Sequence, residues 1–444
     1  MPVYVTAFHP TPTISEGLVP AAQRLGSGVV VLTNQPEAHR AACRGHAVRP
    51  LAVEAAEVRD GEAVASRAIQ LARRYGRPQA LLSNSDLLQP PTALAAALLG
   101  LPGKDWRATV CCKSKALTRW GLAESGLDTV ISVKLGPDDD VSAVAAHLPF
   151  PAVVKPQEGV ASKDVWRVES MEELADRVAR IRARRRGVTL VAEEYLPGPV
   201  HTFETLGDGQ SLYHFSSWRC TLGAPPWSTT VGRRDWAPCL PEPVEQHLRA
   251  QLTALGVGLG ACHTEFVIDG DRARIIEVNY RLLGDTMDFL CSDLLGIDLF
   301  TEVIRLHSGQ RLRTDLPCVR RLRRHARLAL VVADRSGTLA QSPAPLDSQL
   351  PGGILLTHRR LREPGTTAPL HHDSRDFLST IRATGPGLPG GLSCPAVRKG
   401  HRRRYRRGRR RGWPAFLRSL IARRLSGVQL VVSDAHTRPV DAIG

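Results

Sequence analysis

The stretch HTEFVIDGDRARIIEVNYRL, residues 263–282, holds two short apolar strands separated by Asp-Gly-Asp. Strand-forming residues on both sides of such a turn predict an antiparallel hairpin. Side chains two positions apart share one face of a strand, so Glu277 and Asn279 lie on the same side. Pairing about the turn at 269–271 brings Glu265 next to them. The sequence therefore predicts a surface that carries two carboxylates and one amide.

Oxygen atoms of this kind suit Mg²⁺, a hard cation that is often completed by substrate phosphates. Arg281 lies one further step along the same face, and its guanidinium group could bind a phosphate or carboxylate in bidentate fashion. The alternative is a solvated polar face on an antiparallel strand. Residues earlier in the chain help to choose between these interpretations.

Two lysines and a loop of small residues precede the hairpin. Lys115 lies on a predicted helix, and Lys155 ends an apolar strand. Either lysine alone is more often a solvated side chain. The loop QEGVASKDV, residues 157–165, offers backbone N–H groups, Ser162 and Lys163 to an anion. An acidic strand end, Glu-Glu-Tyr-Leu, follows at 193–196 and completes an ordered set of parts.

The regions around these parts alternate between strand and helix patterns. In the first hundred residues this alternation predicts a parallel sheet with helices packed on it. The predicted strands are 3–8, 28–33 and 79–84, and the predicted helices are 15–25 and 62–75. No G-x-G-x-x-G follows the first strand, so a dinucleotide site is not supported. Further along, 113–125 reads as a helix, and Ser170 with Glu173 predicts a capping box opening another.

The ordered set resembles the ATP-grasp superfamily, and within it the ADP-forming carboxylate–amine ligases. The matching segments are KSKALTRWGLAESGL, FPAVVKPQEGVASKDVWRV, LVAEEYLPGPVHTFETLGDG and HTEFVIDGDRARIIEVNYRLLGD. The final hairpin is the most specific of them. SRDFLSTIRATGP (374–386) also looks like the end of such a ligase, so the resemblance covers roughly residues 1–386.

The resemblance implies an ATP-grasp fold of the α/β class, with α+β lobes behind a Rossmann-like N-terminal domain and a disordered basic tail. It divides the chain into five parts: an N-terminal α/β domain (1–105), a linker helix with the small lobe (106–205), a large lobe with the metal site (206–312), a C-terminal subdomain (313–388) and the tail (389–444).

The resemblance also implies a role for each matching position. Contact with ATP is implied for Lys115, Lys155, Ser162, Glu193, Glu194, Tyr195, Leu196 and Glu204. Binding of two Mg²⁺ ions, or Mn²⁺ in their place, is implied for Glu265, Glu277 and Asn279. A catalytic role at the transferred phosphoryl group is implied for Arg281 and Lys163.

Three departures from the family pattern bear on these roles. Val200 stands where a glutamate commonly meets the ribose, and His201 or Glu204 is expected to compensate. Ala161 and Asp164 stand where glycines are common. A carboxylate at 164 is unfavourable near phosphates unless it points away. Tyr280 replaces a proline of the metal motif, which is a mild change.

The segment RCTLGAPPWSTTVGRRDWAP, residues 219–238, contains three arginines and two tryptophans. Its length and polarity suit a mobile loop over the substrate, whose arginines would bind a carboxylate-rich acid. An ordinary surface loop is the alternative.

The last part of the chain differs in charge from the rest. The formal net charge of the chain is +16. Residues 391–444 supply most of it, because they contain fourteen Lys and Arg against two acids, Asp434 and Asp441. The piece at 416–444 resembles mutator-type insertion-sequence transposases, and Asp434 matches one acid of their triad. One acid cannot assemble a two-metal site. We therefore expect a tail derived from an insertion, which binds nucleic acid only non-specifically and in a salt-dependent way.

The resulting expectation is an ATP-dependent, ADP-forming ligase that acts on a small-molecule carboxylate and amine, as in siderophore or peptide pathways. The nine cysteines show no metal-type spacing, and the sequence has no pattern of a signal peptide or membrane span, so a cytoplasmic protein that could form a homodimer is expected. The alternatives are a ligase forming a thioester or carboxylating its substrate, or an impaired ATP-binding protein from an insertion-disrupted gene.

Overall fold

The computed structural model describes residues 1–222, 231–371 and 373–386. The basic tail (389–444), including the transposase-like piece, lies outside the described residues. So does 223–230 of the predicted substrate loop.

The N-terminal part is a four-stranded parallel sheet in the order β3-β2-β1-β4, with helices packed against it. Its elements are β1 (Val3–Ala7), α1 (Val19–Arg24), β2 (Val29–Thr33), α2 (Pro36–Cys43), β3 (Ala52–Ala55), α3 (Gly61–Tyr75), β4 (Ala80–Ser83) and α4 (Gln89–Leu98). A π-helix at Thr13–Leu18 precedes α1, and a 3₁₀ turn at Asp86–Leu88 follows β4. The predicted parallel sheet is confirmed, although β3, which has no run of apolar residues, was not predicted.

Two short helices lead to the next part, where a single helix over 113–125 was predicted. They are α5 (Trp106–Lys113) and α6 (Lys115–Glu124). The Ser114 hydroxyl between them accepts a hydrogen bond from the backbone N–H of Leu117 at 3.4 Å and caps α6. Lys115 is therefore the first residue of a helix rather than part of a helix interior.

The small lobe is an antiparallel sheet in the order β5-β8-β6-β7. Its elements are β5 (Ser132–Leu135), α7 (Val141–Val144), β6 (Ala152–Pro156), β7 (Trp166–Val168), α8 (Met171–Arg184) and β8 (Leu190–Glu194). Ser170 caps α8 as predicted, since its hydroxyl accepts from Glu173 N–H at 3.2 Å. The Glu173 carboxylate accepts from the N–H of Glu169, not of Ser170, so the reciprocal half of the capping box is shifted by one residue.

The large sheet has nine strands in the order β13-β12-β9-β10-β11-β14-β19-β17-β16. The elements of this part are β9 (Val200–Asp208), β10 (Leu212–Leu222), β11 (Val231–Trp236), α9 (Glu242–Ala254), β12 (Leu259–Asp269), β13 (Arg272–Asn279), α10 (Met287–Leu295), α11 (Leu299–His307), β14 (Arg324–Val332), β15 (Gly337–Thr338), β16 (Leu346–Leu350), β17 (Ile354–Arg360), β18 (Thr367–Ala368) and β19 (Phe377–Pro386). β15 and β18 form a separate two-stranded sheet. The predicted boundary at 205 falls inside β9, and the strands after 313 extend the same large sheet.

The predicted hairpin is the pair β12 and β13, joined by Gly270 and Asp271. Gly270 has a φ of 57°, which glycine adopts without steric cost. The register places Glu265 directly opposite Glu277, and a bulge follows between Glu265 and Phe266. This register fixes the positions of the polar side chains described below.

Two further findings apply to the described residues alone. None of their helices combines the length and the apolar character that crossing a membrane requires. Their eight cysteines form no disulfide, and Cys318 is the exposed one.

Candidate active site

A cleft of about 480 Å³ lies between the small lobe and the large sheet, and the N-terminal and C-terminal parts also contribute to its wall. This volume is in the range of small-molecule sites. The cleft brings together twelve of the thirteen predicted site residues: Lys115, Lys155, Ser162, Lys163, Glu193, Glu194, Tyr195, Leu196, Glu265, Glu277, Asn279 and Arg281. The exception is Glu204.

Lys115 and Glu277 form an ion pair at the centre of the cleft. Lys115 Nζ lies 3.0 Å from Glu277 Oε2, and Asn279 Nδ2 donates to Glu277 Oε1 at 2.9 Å. Burial alone would lower the pKa of Lys115, but Glu277 outweighs this and raises it. Burial likewise opposes ionisation of Glu277, yet Lys115 and Asn279 hold its pKa well below the usual range. Both groups are therefore charged.

Lys155 enters the cleft from the small lobe and pairs with Glu193, since Nζ lies 2.6 Å from Oε2. Arg119 binds the same carboxylate with two nitrogens, at 2.8 and 3.1 Å. Burial alone would raise the pKa of Glu193, but Arg119 and Lys155 lower it to about 2. Burial lowers the pKa of Lys155, and Glu193 opposes that shift. Glu193 thus serves as the counter-ion of two buried cations.

Arg119 was not predicted, although the sequence contains a signal for it. It lies four residues after Lys115 on α6, so both side chains emerge from the same helix face. Its guanidinium also lies 3.4 Å from Asp128 and donates to the backbone oxygen of Ile275 on β13. Arg119 therefore ties α6, the small lobe and β13 together.

The strand end at 193–196 forms the outer wall of the cleft. The Glu194 carboxylate accepts from Arg274 at 2.8 Å and from the Ile131 N–H at 3.0 Å. Tyr195 N–H donates to the Pro151 oxygen at 2.9 Å. The carboxylates of Glu193 and Glu194 are already engaged by protein groups. The groups of this segment best placed to contact an adenine ring are therefore its backbone, Tyr195 and Leu196.

Glu204 does not reach the cleft, which corrects the expectation that it contacts ATP. It is completely buried behind His263, whose Nδ1 lies 2.8 and 3.0 Å from the two Glu204 oxygens. His263 Nε2 faces Glu265 Oε1 at 3.4 Å. Burial would lower the pKa of His263, but Glu204 reverses this, and the pKa rises to about 9. His263 is therefore a charged imidazolium between the carboxylates of Glu204 and Glu265, and it helps to position Glu265.

His201, the other residue expected to replace the missing ribose contact, also lies elsewhere. Its ring packs against Phe266, with ring centroids 5.8 Å apart, and does not line the cleft. Burial lowers the pKa of His201 to about 4. Val200, by contrast, does line the cleft, so an apolar side chain stands at that position.

The loop at 157–165 has an unusual backbone. Ala161, Ser162 and Asp164 adopt φ values of 58°, 55° and 58°, in the left-handed region where each costs about 1 kcal/mol. The Asp164 carboxylate points away from the cleft and binds Arg184, the last residue of α8, at 3.0 Å and Arg185, which follows the helix, at 3.2 Å. Ala161 and Asp164 thus adopt a backbone conformation typical of glycine at a cost in strain. The charge of Asp164 is balanced by arginines outside the cleft.

Arg281 follows β13 by two residues and connects this strand to the N-terminal part. Its Nη2 lies 3.0 Å from Asp86 Oδ2, and Nη1 donates to the Leu282 oxygen at 2.7 Å. Leu282 N–H donates to Asn84 Oδ1 at 3.0 Å. No pattern in the sequence indicated Asp86, because it lies 195 residues before its partner.

The three arginines predicted to bind substrate do not lie together, because neighbouring residues on a strand face opposite sides of the sheet. Arg219 is exposed, and Arg233 pairs with Asp235 on the surface at 3.0 Å. Arg234, between them on β11, points inward and lines the cleft together with Asp285. Trp227 lies outside the described residues.

The described residues contain no group of three His, Cys, Asp or Glu side chains that could hold a metal ion. Glu265 and Glu277 nevertheless oppose each other across the hairpin, and Asn279 adds an amide. Two carboxylates and an amide are a donor set that fits Mg²⁺ when phosphates and water complete the shell. The Glu277 oxygens are held by Lys115 and Asn279, which a bound ion would partly replace.

Known proteins resemble parts of this chain. No family model matches the chain. An uncharacterised protein of Sinorhizobium fredii is 29% identical over 246 residues, covering 54% of this chain and 50% of that protein. Human carnosine synthase 1 is 26% identical over 263 residues, covering 53% of this chain and 31% of that protein. The chain thus spans half or less of the length of these curated relatives.

Solved structures match over more of the chain. An L-amino acid ligase from Bacillus licheniformis aligns with a TM-score of 0.69 and 21% identity, covering 87% of this chain and 94% of that one. The biotin carboxylase domain dimer of Hydrogenobacter thermophilus 2-oxoglutarate carboxylase, solved with MgADP and bicarbonate, aligns with a TM-score of 0.62 and 18% identity, covering 86% of each chain. These matches leave the transposase resemblance of 416–444 unsupported. The chain has the ATP-grasp fold.

Proposed function

We propose that the chain is an ATP-dependent ligase that joins the carboxylate of one small molecule to the amine of another. The observation that carries this proposal is the convergence of Lys115 and Lys155 on one cleft with the hairpin face of Glu265, Glu277 and Asn279. Similarity to carnosine synthase 1 and to an L-amino acid ligase supports it.

ATP would lie along the cleft. The adenine would rest near Tyr195 and Leu196, the phosphates between Lys115 and Lys155, and the loop with Ser162 and Lys163 above them. Lysine ammonium groups are suited to phosphate oxygens. When nucleotide binds, its phosphates would compete with Glu277 and Glu193 for these two cations.

The proposed reaction has two steps. A carboxylate oxygen of the acid attacks the γ-phosphorus of ATP, the bond to the β-phosphate oxygen breaks, and ADP and an acyl phosphate result. The amine nitrogen then attacks the acyl carbon, inorganic phosphate leaves, and the amine loses a proton as the amide forms. Because phosphoryl transfer depends mainly on positioning and on neutralising charge, Arg281 and the two lysines are the residues suited to it.

Mg²⁺ held by Glu265, Glu277 and Asn279 would neutralise phosphate charge during transfer. We propose two such ions, with Mn²⁺ as an alternative to Mg²⁺. The three protein ligands would leave several coordination positions on each ion for phosphate oxygens and water. His263, fixed by Glu204, would keep the Glu265 carboxylate oriented.

The test follows ADP, AMP and hydroxamate when the full chain is incubated with ATP, Mg²⁺, hydroxylamine and individual amino and hydroxy acids. We expect acid-dependent ADP and hydroxamate without AMP, and a loss of at least 100-fold in Glu277→Gln. Glu124→Gln changes an exposed carboxylate on α6 and is the matched control.

ATP binding without acid-dependent ADP in any pool would contradict the ligase proposal. It would favour the second candidate, a nucleotide-binding protein with impaired turnover. The observation behind that candidate is the apolar Val200 in the cleft wall, where the resemblance implies a ribose contact.

We further propose a homodimer, supported by the dimer of the Hydrogenobacter thermophilus domain, and a role in siderophore or peptide biosynthesis. Sedimentation of the full chain tests the dimer: a single monomeric species at micromolar concentration would exclude it.

A further inference from the structure

Arg234 differs from the buried cations Lys115, Lys155 and Arg281 of the same cleft in the length of its ion pair. The guanidinium group is buried, with the residue only 8% exposed. Its ion pair with Asp285 is long, at 3.5 Å, whereas Lys115, Lys155 and Arg281 each have an acidic partner at 3.0 Å or less. Arg234 Nε is also buried and has no hydrogen-bond partner among the described residues, and the guanidinium's other neighbour is the Cys220 thiol, a weak hydrogen-bond partner.

A buried and weakly paired cation is costly, because its lost hydration is not repaid by protein contacts. A ligand anion that reaches Arg234 through the cleft would supply the missing contact. Guanidinium groups bind carboxylates in a planar, bidentate arrangement. The structure therefore indicates a carboxylate as the partner of Arg234.

Asp285 limits which carboxylate fits. Its side chain is 34% exposed in the same wall and carries a negative charge beside the expected ligand. A ligand with only a carboxylate would be repelled by Asp285. A ligand that also carries an amino group would be attracted by both residues.

The backbone at this place is unusual as well. Asp285 and Thr286 adopt φ values of 55° and 60°, although neither is glycine. Arg382 from β19 donates to the Thr286 hydroxyl, which helps to hold this conformation. Strain of this kind persists where surrounding contacts fix it and is common at ligand sites.

We propose that Arg234 and Asp285 form a subsite for the carboxylate and amino groups of an amino-acid substrate, and that the carboxylate bound by Arg234 is one that does not react. The proposal rests on the proposed ligase function and adds the class of substrate and the residues that select it.

The reacting carboxylate is a poor candidate for Arg234. A tight guanidinium pair would stabilise the ground state of a group that must act as a nucleophile and then lose its charge. An unreactive carboxylate keeps its charge throughout the reaction, so its contact with Arg234 persists from binding to product. Two sources remain: the carboxylate of an amino acid that serves as the amine, or the second carboxylate of an acidic amino acid, Asp or Glu, that serves as the acid.

The test compares the full chain with Arg234→Gln in two assays. One measures hydroxamate from each of the twenty amino acids with hydroxylamine, which lacks a carboxylate. The other measures phosphate release with each amino acid as the amine, beside its carboxamide, such as glycine with glycinamide. Arg233→Gln, an adjacent arginine on the outer face of β11, is the matched control, and Arg234→Lys tests conservative rescue.

If the carboxylate belongs to the amine substrate, Arg234→Gln forms hydroxamate at the wild-type rate while the KM for amino-acid amines rises about 30-fold, the loss expected for a charged hydrogen bond. Carboxamides are then used equally by both proteins. If it belongs to the acid, only hydroxamates of Asp and Glu are lost. Either result supports the subsite.

Equal loss of hydroxamate for every acid, with an unchanged melting temperature, would show that Arg234 acts on the reacting group and would overturn the proposal. Unchanged kinetics in Arg234→Gln would overturn it too. If the wild type forms no hydroxamate, the ligase function fails separately. The subsite is then decided by whether amino acids, but not their carboxamides, raise the melting temperature of the wild type and not of Arg234→Gln.

Discussion

At the scale of single residues, the cleft is organised by buried charges that hold one another in place. Glu193 neutralises Lys155 and Arg119, Glu277 neutralises Lys115, and Glu204 fixes His263. Such pairs add little stability compared with apolar packing, but breaking one leaves an uncompensated charge. Their effect is to keep cationic groups positioned in the wall of the cleft.

The carboxyl of Glu193 predicts a dependence of stability on pH. Its pKa is about 2 in the folded protein against an ordinary 4.5, so its stabilising effect is complete above 4.5 and is lost as the pH falls towards 2. We expect the wild type to lose about 1 kcal/mol of unfolding free energy from this group by pH 4 and about 2 by pH 3. Denaturant titrations of the wild type and Glu193→Gln at pH 7, 4 and 3 measure it.

Glu193→Gln should itself cost about 3–5 kcal/mol at pH 7, because Lys155 and Arg119 lose their shared counter-ion. Its stability should then fall less steeply with acid than that of the wild type. Equal slopes in both proteins would mean that Glu193 titrates normally.

His263 and Glu204 form a second test at this scale. His263→Leu removes the hydrogen-bonded ion pair that the Glu204 carboxylate makes among the described residues. We expect it to lower the free energy of unfolding by about 3–5 kcal/mol. Glu204→Gln combined with His263→Leu should be less damaging than the two single effects added together. Strict additivity in thermal unfolding would contradict the direct pairing.

Two of these partners were within reach of sequence reasoning. His263 lies two residues before Glu265 on the same strand and therefore on the same face. Arg119 lies one helical turn beyond Lys115. Asp86 and Asp285 gave no such signal, because their partners are brought to them by the fold rather than by local periodicity.

At the scale of elements, the hairpin shows what a local pattern can determine. The turn at Gly270 and the alternation on both sides predicted that Glu265 approaches Glu277, and the register shows them opposite each other. The bulge after Glu265 and the break between α5 and α6 at Ser114 were not predicted. Both depend on packing against neighbouring elements, which periodicity does not report.

The loop at 157–165 leads to a prediction at this scale. Ala161 has a φ of 58°, and Ser374 N–H donates to its oxygen at 3.2 Å. Ala161→Val would place a β-branched residue in the left-handed region and add about 1–2 kcal/mol of strain. We expect the KM for ATP to rise about tenfold and the melting temperature to fall by about 2–4 °C at most, since the side chain is exposed and causes no clash in the core.

Ala161→Gly is the matched control, because glycine adopts this conformation freely, and its KM for ATP should stay within about twofold of the wild type. Hydrogen exchange of the loop gives an independent measure, with faster exchange expected in Ala161→Val alone. An equal rise of KM in both variants would contradict the strain explanation, because glycine relieves the strain that valine increases.

At the scale of the whole molecule, the cleft exists because four parts of the chain meet. The N-terminal part contributes Asp86, the small lobe Lys155, the large sheet Glu277, and the C-terminal part Ser374 and Phe377. The order of these parts could be predicted from the sequence, since each has its own local pattern. The continuity of the nine-stranded sheet across the predicted subdomain boundary could not, because strand pairing over long separations leaves no periodic trace.

The basic tail supplies the last prediction. Its charge comes from residues 391–444, whereas the described fold extends to Pro386, the last residue of β19, which pairs with Arg324 on β14. Deleting 387–444 should therefore leave ADP formation and the melting temperature unchanged. It should abolish binding to duplex DNA of random sequence, which we expect for the full chain at 50 mM salt and not at 300 mM, because such contacts depend on counterion release. Activity assays and fluorescence anisotropy on both proteins test this. DNA binding that persists in residues 1–386, or turnover that disappears with the tail, would mean that the tail and the folded body act as one unit.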